Sequence, residues 1–238
     1  ENILLVDKKQ GVLVHPDKNE YRDTLISRIC HYLYKKGEYD PAKENSFTPA
    51  LANRIDRNTG GIVICAKNAE SLRILNQKIR DREIHKHYLC ITVGIPPKSH
   101  DVLTAYHQRN EQTKVVKITS HKTKDNKTMI TEYDILKVNR EKNLALLEVN
   151  LITGRTHQIR VHMAWLGHPL LGDGMYGKGV TEDEGRTESR TETEFGMERT
   201  ALHSWRLLCT QPFSGERLEF ICELPEDMMR LVGQGHGL

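Results

Sequence analysis

Apolar residues recur every three or four positions in three parts of the chain, a spacing that predicts amphipathic helices. The first helix is predicted over residues 24–36, the second follows the capping residue Asn68, and the third covers residues 156–166. Their buried faces are predicted to consist of Leu25, Ile29 and Leu33, of Leu72, Leu75 and Ile79, and of Ile159, Met163 and Leu166. A short helix is also predicted at the C-terminal end.

Short apolar or alternating runs between these helices predict strands. The predicted strands cover residues 2–6, 12–14, 62–66, 88–93, 102–118, 129–138, 145–152, 203–209 and 218–222. Many strands with few helices predict an α+β fold, or an α/β fold with a largely antiparallel sheet. We expect one domain over residues 1–238, with a flexible insertion at 178–199, where the sequence is polar and has few apolar anchors.

The charge of the chain is small but unevenly distributed. The net charge is +3, yet residues 181–199 contain seven acidic and three basic residues, so the rest of the chain carries +7. The segment 107–127 holds six Lys or Arg residues against two acids. Its lysines Lys114, Lys117, Lys122 and Lys124 are candidates for RNA contact, although a solvated loop has a similar composition.

Several classes of protein are disfavoured by composition. No apolar run approaches the roughly 20 residues needed to span a bilayer, and no signal peptide is visible at the start, so we expect a cytoplasmic protein without a membrane partner. Five cysteines without a CxxC pair indicate reduced thiols. Phosphate-binding, dinucleotide, nucleophile-elbow and zinc motifs are lacking, so no cofactor is expected.

One acidic residue stands out within the stretch NRIDRNTGGIVICAK. Asp56 lies between Arg54 and Arg57 at a glycine-rich turn. If the backbone is extended there, Arg54 and Asp56 point to one side and Arg57 to the other. An ionised, poorly hydrated carboxylate can act as a nucleophile or a general base. A structural Asp–Arg pair at a turn is the alternative.

A second stretch, TGRTHQIRVHMAWLGHPLLGDGMYG, concentrates arginine and histidine at the predicted start of a helix. A helix N-terminus attracts phosphate through its free N–H groups and its dipole. Arg155 and Arg160 do not share a helical face, so one could serve a phosphate and the other the acid. A metal site is disfavoured because spacings of five and six do not align the three histidines, His157, His162 and His168.

Tyr88 and Lys86 share one face of a predicted strand. An aromatic ring beside a cation can stack on a base while a phosphate is held nearby. Packing within the protein is the simpler interpretation of a strand tyrosine.

Taken together, these stretches resemble the RluA-type pseudouridine synthases. The Asp56 stretch is similar to the family signature HRLDxxTSGLLLLAK, and TGRTHQIRVHMAWLGHPLLGD matches the later signature almost letter for letter. DKKQGVLVHP resembles the opening motif DKPxGLxVHP, and KHYLCITVG and ALHSWRL match further segments. Asn53, Gly60 and Lys9 depart from the family pattern, but none replaces the aspartate. The family often carries an N-terminal S4-type RNA-binding domain, for which this chain has no room before Asp7.

The resemblance implies the pseudouridine synthase catalytic fold and isomerisation of uridine to pseudouridine within RNA, without a cofactor or metal, by a monomer. By family analogy Asp56 is the nucleophile or base, Tyr88 stacks on the target ring, Arg160 pairs with Asp56, and Arg54 enters the space left by the flipped uridine. Large-subunit ribosomal RNA is the preferred substrate and transfer RNA the next. The residues expected to contact RNA are Arg54, Arg57, Lys86, Arg155, His157, Lys114, Lys117, Lys122 and Lys124.

Two other classes of function remain open. One is an RNA-binding or ribosome-assembly factor that keeps the fold without the chemistry. The other is a nucleic-acid hydrolase, which would need paired carboxylates or metal ligands that both motifs lack.

Overall fold

A computed structural model describes residues 2–43, 46–109, 116–177, 195–197, 199–211 and 215–232. The chain divides into two compact units, a first unit of Glu1–His85 with Ser204–Cys222 and a second of Lys86–His203 with Glu223–Leu238. This division into compact units neither confirms nor contradicts the predicted single domain over residues 1–238. Most of the predicted insertion, residues 178–194 and 198, lies outside the described residues.

The elements of the described residues follow one another in an order rich in strands. They are β1 (Ile3–Lys8), α1 (Leu25–Lys35), β2 (Ala50–Leu51), β3 (Gly60–Ala66), α2 (Ala69–Arg80), β4 (His85–Val93), β5 (His100–Arg109), β6 (Val116–Thr119), β7 (Lys127–Asn139), β8 (Leu144–Leu151), α3 (Gln158–Trp165), β9 (Leu202–Thr210), β10 (Arg217–Ile221) and α4 (Glu226–Val232). No described helix has the length and apolarity needed to cross a membrane.

The first unit is built around β3, whose residues are all buried. Strands β1 and β2 pair antiparallel with β3, and β10 pairs antiparallel with β9, which neighbours β3. Helix α2 packs its Leu75 into the core formed by β3, with Leu72 and Ile79 against it. Its predicted cap is confirmed, because the Asn68 side chain accepts a hydrogen bond from the Ser71 N–H at 2.8 Å.

Helix α1 also belongs to the first unit and follows its predicted pattern. Leu25, Ile29 and Leu33 are buried, and Thr24 caps the N-terminus by accepting a hydrogen bond from the Ser27 N–H. The apolar spacing therefore identified the buried face of this helix correctly.

Two strand predictions were wrong in detail. Residues 12–14 form no strand, because only Leu13 makes an isolated bridge, to Thr24. The predicted strand over residues 102–118 is two strands, β5 and β6, which run antiparallel with Tyr106 opposite Thr119. Alternation persists on both sides of the polar stretch between them, so periodicity alone could not separate a hairpin from one long strand.

The second unit contains an antiparallel sheet in the order β4-β8-β7-β5-β6. Val161 and Ala164 of α3 pack into one core with residues of β5, β6 and β7. The two units together are largely antiparallel with few helices, which confirms the α+β prediction.

His162 of α3 is completely buried in the second unit and serves the fold. Its Nδ1 lies 2.9 Å from the Thr131 hydroxyl, and burial lowers the pKa of the imidazole to about 4. Because the unfolded chain binds the proton more tightly, the stabilisation from neutral His162 is complete above pH 6.5 and is lost as the pH falls towards 4.

Wild type should therefore lose about 3 kcal/mol more unfolding free energy between pH 6.5 and pH 4 than the variant His162→Gln. Urea titrations at a series of pH values measure the difference. His31→Gln, which removes a histidine from an exposed helix position, is the matched control. Parallel curves for wild type and His162→Gln would contradict this role of His162.

Candidate active site

Asp56 lies in a tight turn that leads into β3 of the first unit. Its carbonyl oxygen accepts a hydrogen bond from the Thr59 N–H at 3.1 Å. Ile55 is buried, whereas Arg54 is exposed and Asp56 half-buried, an alternation that agrees with the extended backbone predicted for residues 54–56. Asp56 is therefore a partly exposed residue of the turn that precedes the buried strand β3.

The Asn53 side chain fixes the chain just before Asp56. Its Oδ1 accepts a hydrogen bond from the Ile64 N–H at 2.7 Å, and its Nδ2 donates to the Ile62 carbonyl at 3.5 Å. The amide thus continues the pairing with β3 where β2 has ended. Asn53 departs from the family pattern, but its polar side chain anchors the turn.

Lys8 anchors the other side of the turn, and its role was not predicted. The residue is only 1% exposed, and its Nζ donates to the carbonyls of Lys9, Val12 and Arg57 at 2.9–3.0 Å. Burial lowers the pKa of the ammonium to about 8, although the charges of Asp56 and Asp7 act to raise it. The ammonium therefore holds the turn by hydrogen bonds to backbone carbonyls. The negative charge of Asp56 compensates only part of the cost of burying this positive charge.

Arg57 is tied to the same segment through its backbone and its side chain. The Arg57 carbonyl accepts from the Gly11 N–H at 2.9 Å, and its Nε donates to the Gly11 carbonyl at 2.9 Å. The second of these bonds uses the Nε of the guanidinium that is predicted to contact RNA. The contact of Arg57 with RNA stays a prediction.

Gly61 follows the turn and permits a close approach of two strands. Its φ is +105°, and a Cβ built there would lie 2.1 Å from the Ser204 carbonyl oxygen of β9. Only glycine fits this backbone conformation and this contact.

In the second unit, Arg160 forms a two-point ion pair with Asp173. Its Nε and Nη2 donate to the two carboxylate oxygens at 2.7 and 2.8 Å, and the Asp173 side chain is fully buried. Burial acts to raise the pKa of Asp173, but the hydrogen bonds and charge of Arg160, helped by two backbone N–H groups, hold it below its ordinary value. The ionised carboxylate of Asp173 therefore fixes the orientation of the Arg160 guanidinium.

Tyr176 completes the surroundings of Arg160. The guanidinium carbon lies 5.2 Å from the centre of the Tyr176 ring, and the tyrosine hydroxyl lies 2.9 Å from Nδ1 of His157. His157 adopts a left-handed backbone with φ of 53° just before α3. The structure thus brings His157, Arg160, Asp173 and Tyr176 together, and the contact of His157 with RNA stays a prediction.

The remaining predicted residues of the second unit occupy different places. Tyr88 is 5% exposed on β4, opposite Val149 of β8, and Lys86 is partly buried with its pKa lowered by burial. Arg155 is exposed, and its Nε donates to the Thr128 carbonyl at 3.2 Å. Base stacking by Tyr88 and RNA contact by Lys86 and Arg155 stay predictions.

The basic segment 107–127 is partly strand and partly turn. Lys122 and Lys124 are exposed in the turn between β6 and β7, and Lys117 belongs to β6, whereas Lys114 lies outside the described residues. Part of the predicted loop is therefore a paired strand.

The three catalytic candidates are divided between the units. Asp56 belongs to the first unit, and Tyr88 and Arg160 belong to the second. The predicted pairing of Arg160 with Asp56 stays a prediction. Within the described part of the chain, no group of His, Cys, Asp or Glu residues could hold a metal ion.

Comparisons with known proteins agree with these motifs. A family model described as RNA pseudouridylate synthase matches residues 2–165. An uncharacterized RNA pseudouridine synthase of Chlorobaculum parvum is 34% identical over 232 residues, which cover 96% of this chain and 70% of that protein. A ribosomal large subunit pseudouridine synthase D of Zymomonas mobilis is 31% identical over 97% of this chain and 69% of that protein. The chain thus spans about two thirds of the length of these relatives.

Solved structures show the same fold at lower sequence identity. Human RNA pseudouridylate synthase domain containing 4 aligns with a TM-score of 0.72 and 22% identity, covering 96% of this chain and 87% of that one. Human RNA pseudouridylate synthase domain containing 1 aligns with a TM-score of 0.67 and 23% identity, covering 93% and 80%. With the family match over residues 2–165 and the RluA-type motifs, these findings confirm the predicted resemblance: the chain belongs to the RNA pseudouridylate synthase family of isomerases.

Proposed function

We propose that this chain converts specific uridines of RNA, preferably of the large ribosomal subunit, to pseudouridine, with Asp56 as the nucleophile or base. The observation that carries the proposal is the turn at the half-buried Asp56, whose backbone is held from one side by Lys8 and from the other by Asn53. A relative named as a ribosomal large subunit enzyme supports this choice of RNA, and transfer RNA is the second candidate. The site of action would then be the cytoplasm.

The reaction exchanges one bond to the ribose for another. The bond from C1′ to N1 of the base breaks, the base turns, and a bond from C1′ to C5 forms. C5 loses its proton and N1 gains one, so nothing is oxidised and no net water is consumed. The chain's own part is to position Asp56 at the flipped nucleotide. There Tyr88 would stack on the ring, Arg160 would pair with Asp56, and Arg54 would fill the vacated space.

Loss of the C5 proton gives a direct assay of the proposal. RNA labelled with tritium at C5 of its uridines should release tritium in proportion to the pseudouridine formed. We expect release to rise with enzyme concentration on large-subunit RNA. Binding of that RNA without any release would instead identify an RNA-binding or assembly factor without the chemistry.

The exposed turn of segment 107–127 is proposed to contribute affinity and no chemistry. Replacing Lys122 and Lys124 together by Gln should weaken RNA binding and reduce the slope of log affinity against log salt by about 1.4, near 0.7 for each phosphate contact. The rate of a single turnover at saturating RNA should not change. Filter binding at several salt concentrations measures the slope.

A matched control removes two charges at the opposite end of β7. Arg140 and Lys142 are exposed in the turn between β7 and β8, and their replacement by Gln should leave the salt slope unchanged. Equal effects of the two double variants would show that net charge alone matters, and the proposed contact would be wrong.

A further inference from the structure

Tyr176, in the loop that follows α3, contacts two side chains at the start of that helix. The centre of its ring lies 5.7 Å from the centre of the His157 ring and 5.2 Å from the guanidinium carbon of Arg160. Its hydroxyl oxygen lies 2.9 Å from Nδ1 of His157. His157 immediately precedes α3, and Arg160 lies in the first turn of the helix. One tyrosine of the loop therefore links both residues.

The Tyr176 side chain is held inside the second unit. It is 1% exposed and packs in a cluster with Val161 and Ala164 of α3 and with Met129 of β7. Its backbone is fixed as well, because the Tyr176 N–H donates to the Asp173 carboxylate at 3.1 Å. A side chain this deeply buried cannot touch a bound RNA, so any part that it has in the reaction must pass through its neighbours.

His157 binds the hydroxyl end of the Tyr176 ring. A buried tyrosine hydroxyl needs a hydrogen-bond partner to offset its loss of water. His157 is partly exposed, and its φ of 53° is a left-handed conformation that residues other than glycine rarely adopt. Its side chain makes no capping hydrogen bond to α3, and its ring instead meets the Tyr176 ring edge-on, at an angle of 68°. His157 therefore fixes the position of the Tyr176 hydroxyl.

The ion pair with Asp173 leaves one motion of Arg160 open. The two carboxylate oxygens accept from Nε and Nη2 at 2.7 and 2.8 Å. Such a pair fixes the line through the two nitrogen atoms, but the guanidinium plane can still tilt about that line. The Tyr176 ring limits this tilt, because the guanidinium lies over it and the cation is attracted to the ring. Since Asp173 uses only some of the N–H donors, the tilt decides where the others point.

We propose that Tyr176 is a positioning residue for the reaction, which fixes the plane of the Arg160 guanidinium while His157 fixes Tyr176. The effect passes from His157 to Tyr176 and from Tyr176 to Arg160. This inference rests on the proposed function for the role of Arg160 at the target uridine. The contacts that hold the guanidinium belong to the second unit alone.

The first test removes only the Tyr176 hydroxyl. In Tyr176→Phe, the rate of single-turnover tritium release at saturating RNA should fall about tenfold, the effect expected for one lost hydrogen bond. The Kd for the same RNA, measured by filter binding, should not change, because the Tyr176 side chain is buried.

Tyr133→Phe is the matched control for this variant. Tyr133 is also 1% exposed in the second unit, and its hydroxyl donates to the Lys98 carbonyl at 3.3 Å. This variant loses a buried hydroxyl of the same kind and should keep the wild-type rate. A wild-type rate in Tyr176→Phe, an equal loss in Tyr133→Phe, or a loss confined to RNA affinity would overturn the proposal.

A double-variant cycle tests the link from His157 to Tyr176. His157→Gly removes the imidazole, and glycine adopts the left-handed backbone without strain. At saturating RNA it should slow the single turnover by the same factor as Tyr176→Phe. The variant with both changes should be no slower than either single variant, because both remove the same hydrogen bond. Effects that multiply in the double variant would show that the two residues act separately, which would contradict the inferred link.

A measurement that needs no turnover follows the Arg160 guanidinium itself. The Nε–Hε signal of Arg160 in ¹⁵N NMR spectra is identified by its loss in Arg160→Lys. Its order parameter should be that of a rigid group in wild type and in Tyr133→Phe. The order parameter should fall in Tyr176→Phe, and further in Tyr176→Leu, which also removes the ring. Wild-type values in both Tyr176 variants would refute the positioning of Arg160 by Tyr176.

The two measurements separate the inference from the proposed function. If the order parameter falls in the Tyr176 variants but the wild-type chain releases no tritium from any RNA, the support of Arg160 by Tyr176 stands and the enzymatic proposal fails. If the wild-type chain releases tritium, and neither the rate nor the order parameter changes in the Tyr176 variants, the enzymatic proposal stands and the inference fails.

Discussion

Replacing Asp56 by asparagine should reduce the single-turnover rate of pseudouridine formation by at least about a hundredfold. The substitution keeps the size of the side chain but removes the negative charge that a nucleophile or base requires. The turn should persist, because Lys8 and Asn53 bind backbone atoms around Asp56 rather than its carboxylate. Tritium release with enzyme in excess over RNA measures the rate, and thermal unfolding checks the fold.

Asp7 provides the matched control for this variant. Asp7 and Asp56 both act to raise the pKa of Lys8, and Asp7 is paired with Lys9 at 2.7 Å at an exposed position. Asp7→Asn removes the same charge near the same ammonium and should leave turnover near the wild-type rate. Activity of Asp56→Asn above about a tenth of wild type would remove Asp56 from the mechanism.

Arg160→Met should lose both stability and activity. The change leaves the fully buried Asp173 carboxylate without its cation, which should lower the free energy of unfolding by about 3–5 kcal/mol. Activity should fall as well, because the proposal gives the Arg160 guanidinium a role at Asp56. Urea unfolding and single-turnover tritium release report the two losses separately.

A second substitution separates the structural part of Arg160 from the catalytic part. Asp173→Asn keeps an acceptor for the Met175 and Tyr176 N–H groups, which the carboxylate now binds at 2.9 and 3.1 Å. Added to Arg160→Met, it removes the unpaired charge and should restore most of the stability. The double variant should remain inactive. Recovery of activity along with stability would show that Arg160 only supports the fold.

Local patterns predicted most of the elements because they depend on neighbouring residues. The cap at Asn68 and the buried face of α1 follow from short-range spacing, and both are present. The segment 12–14 failed as a strand although it is apolar. Its backbone carbonyls instead bind the Lys8 ammonium and the N–H groups at the start of α1, contacts that periodicity does not report.

The supporting residues of the site were harder to predict than its acid. Asp56 was identifiable from its position between two arginines and from its motif. Lys8 was not, because it is buried whereas lysines are usually exposed. Asp173 follows Arg160 by 13 residues across an irregular loop, so no helical or strand spacing links them. Lys8 lies inside the motif DKKQGVLVHP, and Asp173 ends the motif TGRTHQIRVHMAWLGHPLLGD. Membership of these motifs was the one sequence signal that could have identified them as residues of the site.

Mapping of pseudouridine in total RNA, from cells with and without the gene for this chain, tests the central proposal most directly. Chemical modification of pseudouridine followed by reverse transcription locates each site. We predict that one or a few sites in large-subunit ribosomal RNA disappear without the gene, return with the wild-type gene, and stay absent with Asp56→Asn. Identical maps with and without the gene, or restoration of the sites by Asp56→Asn, would contradict the account.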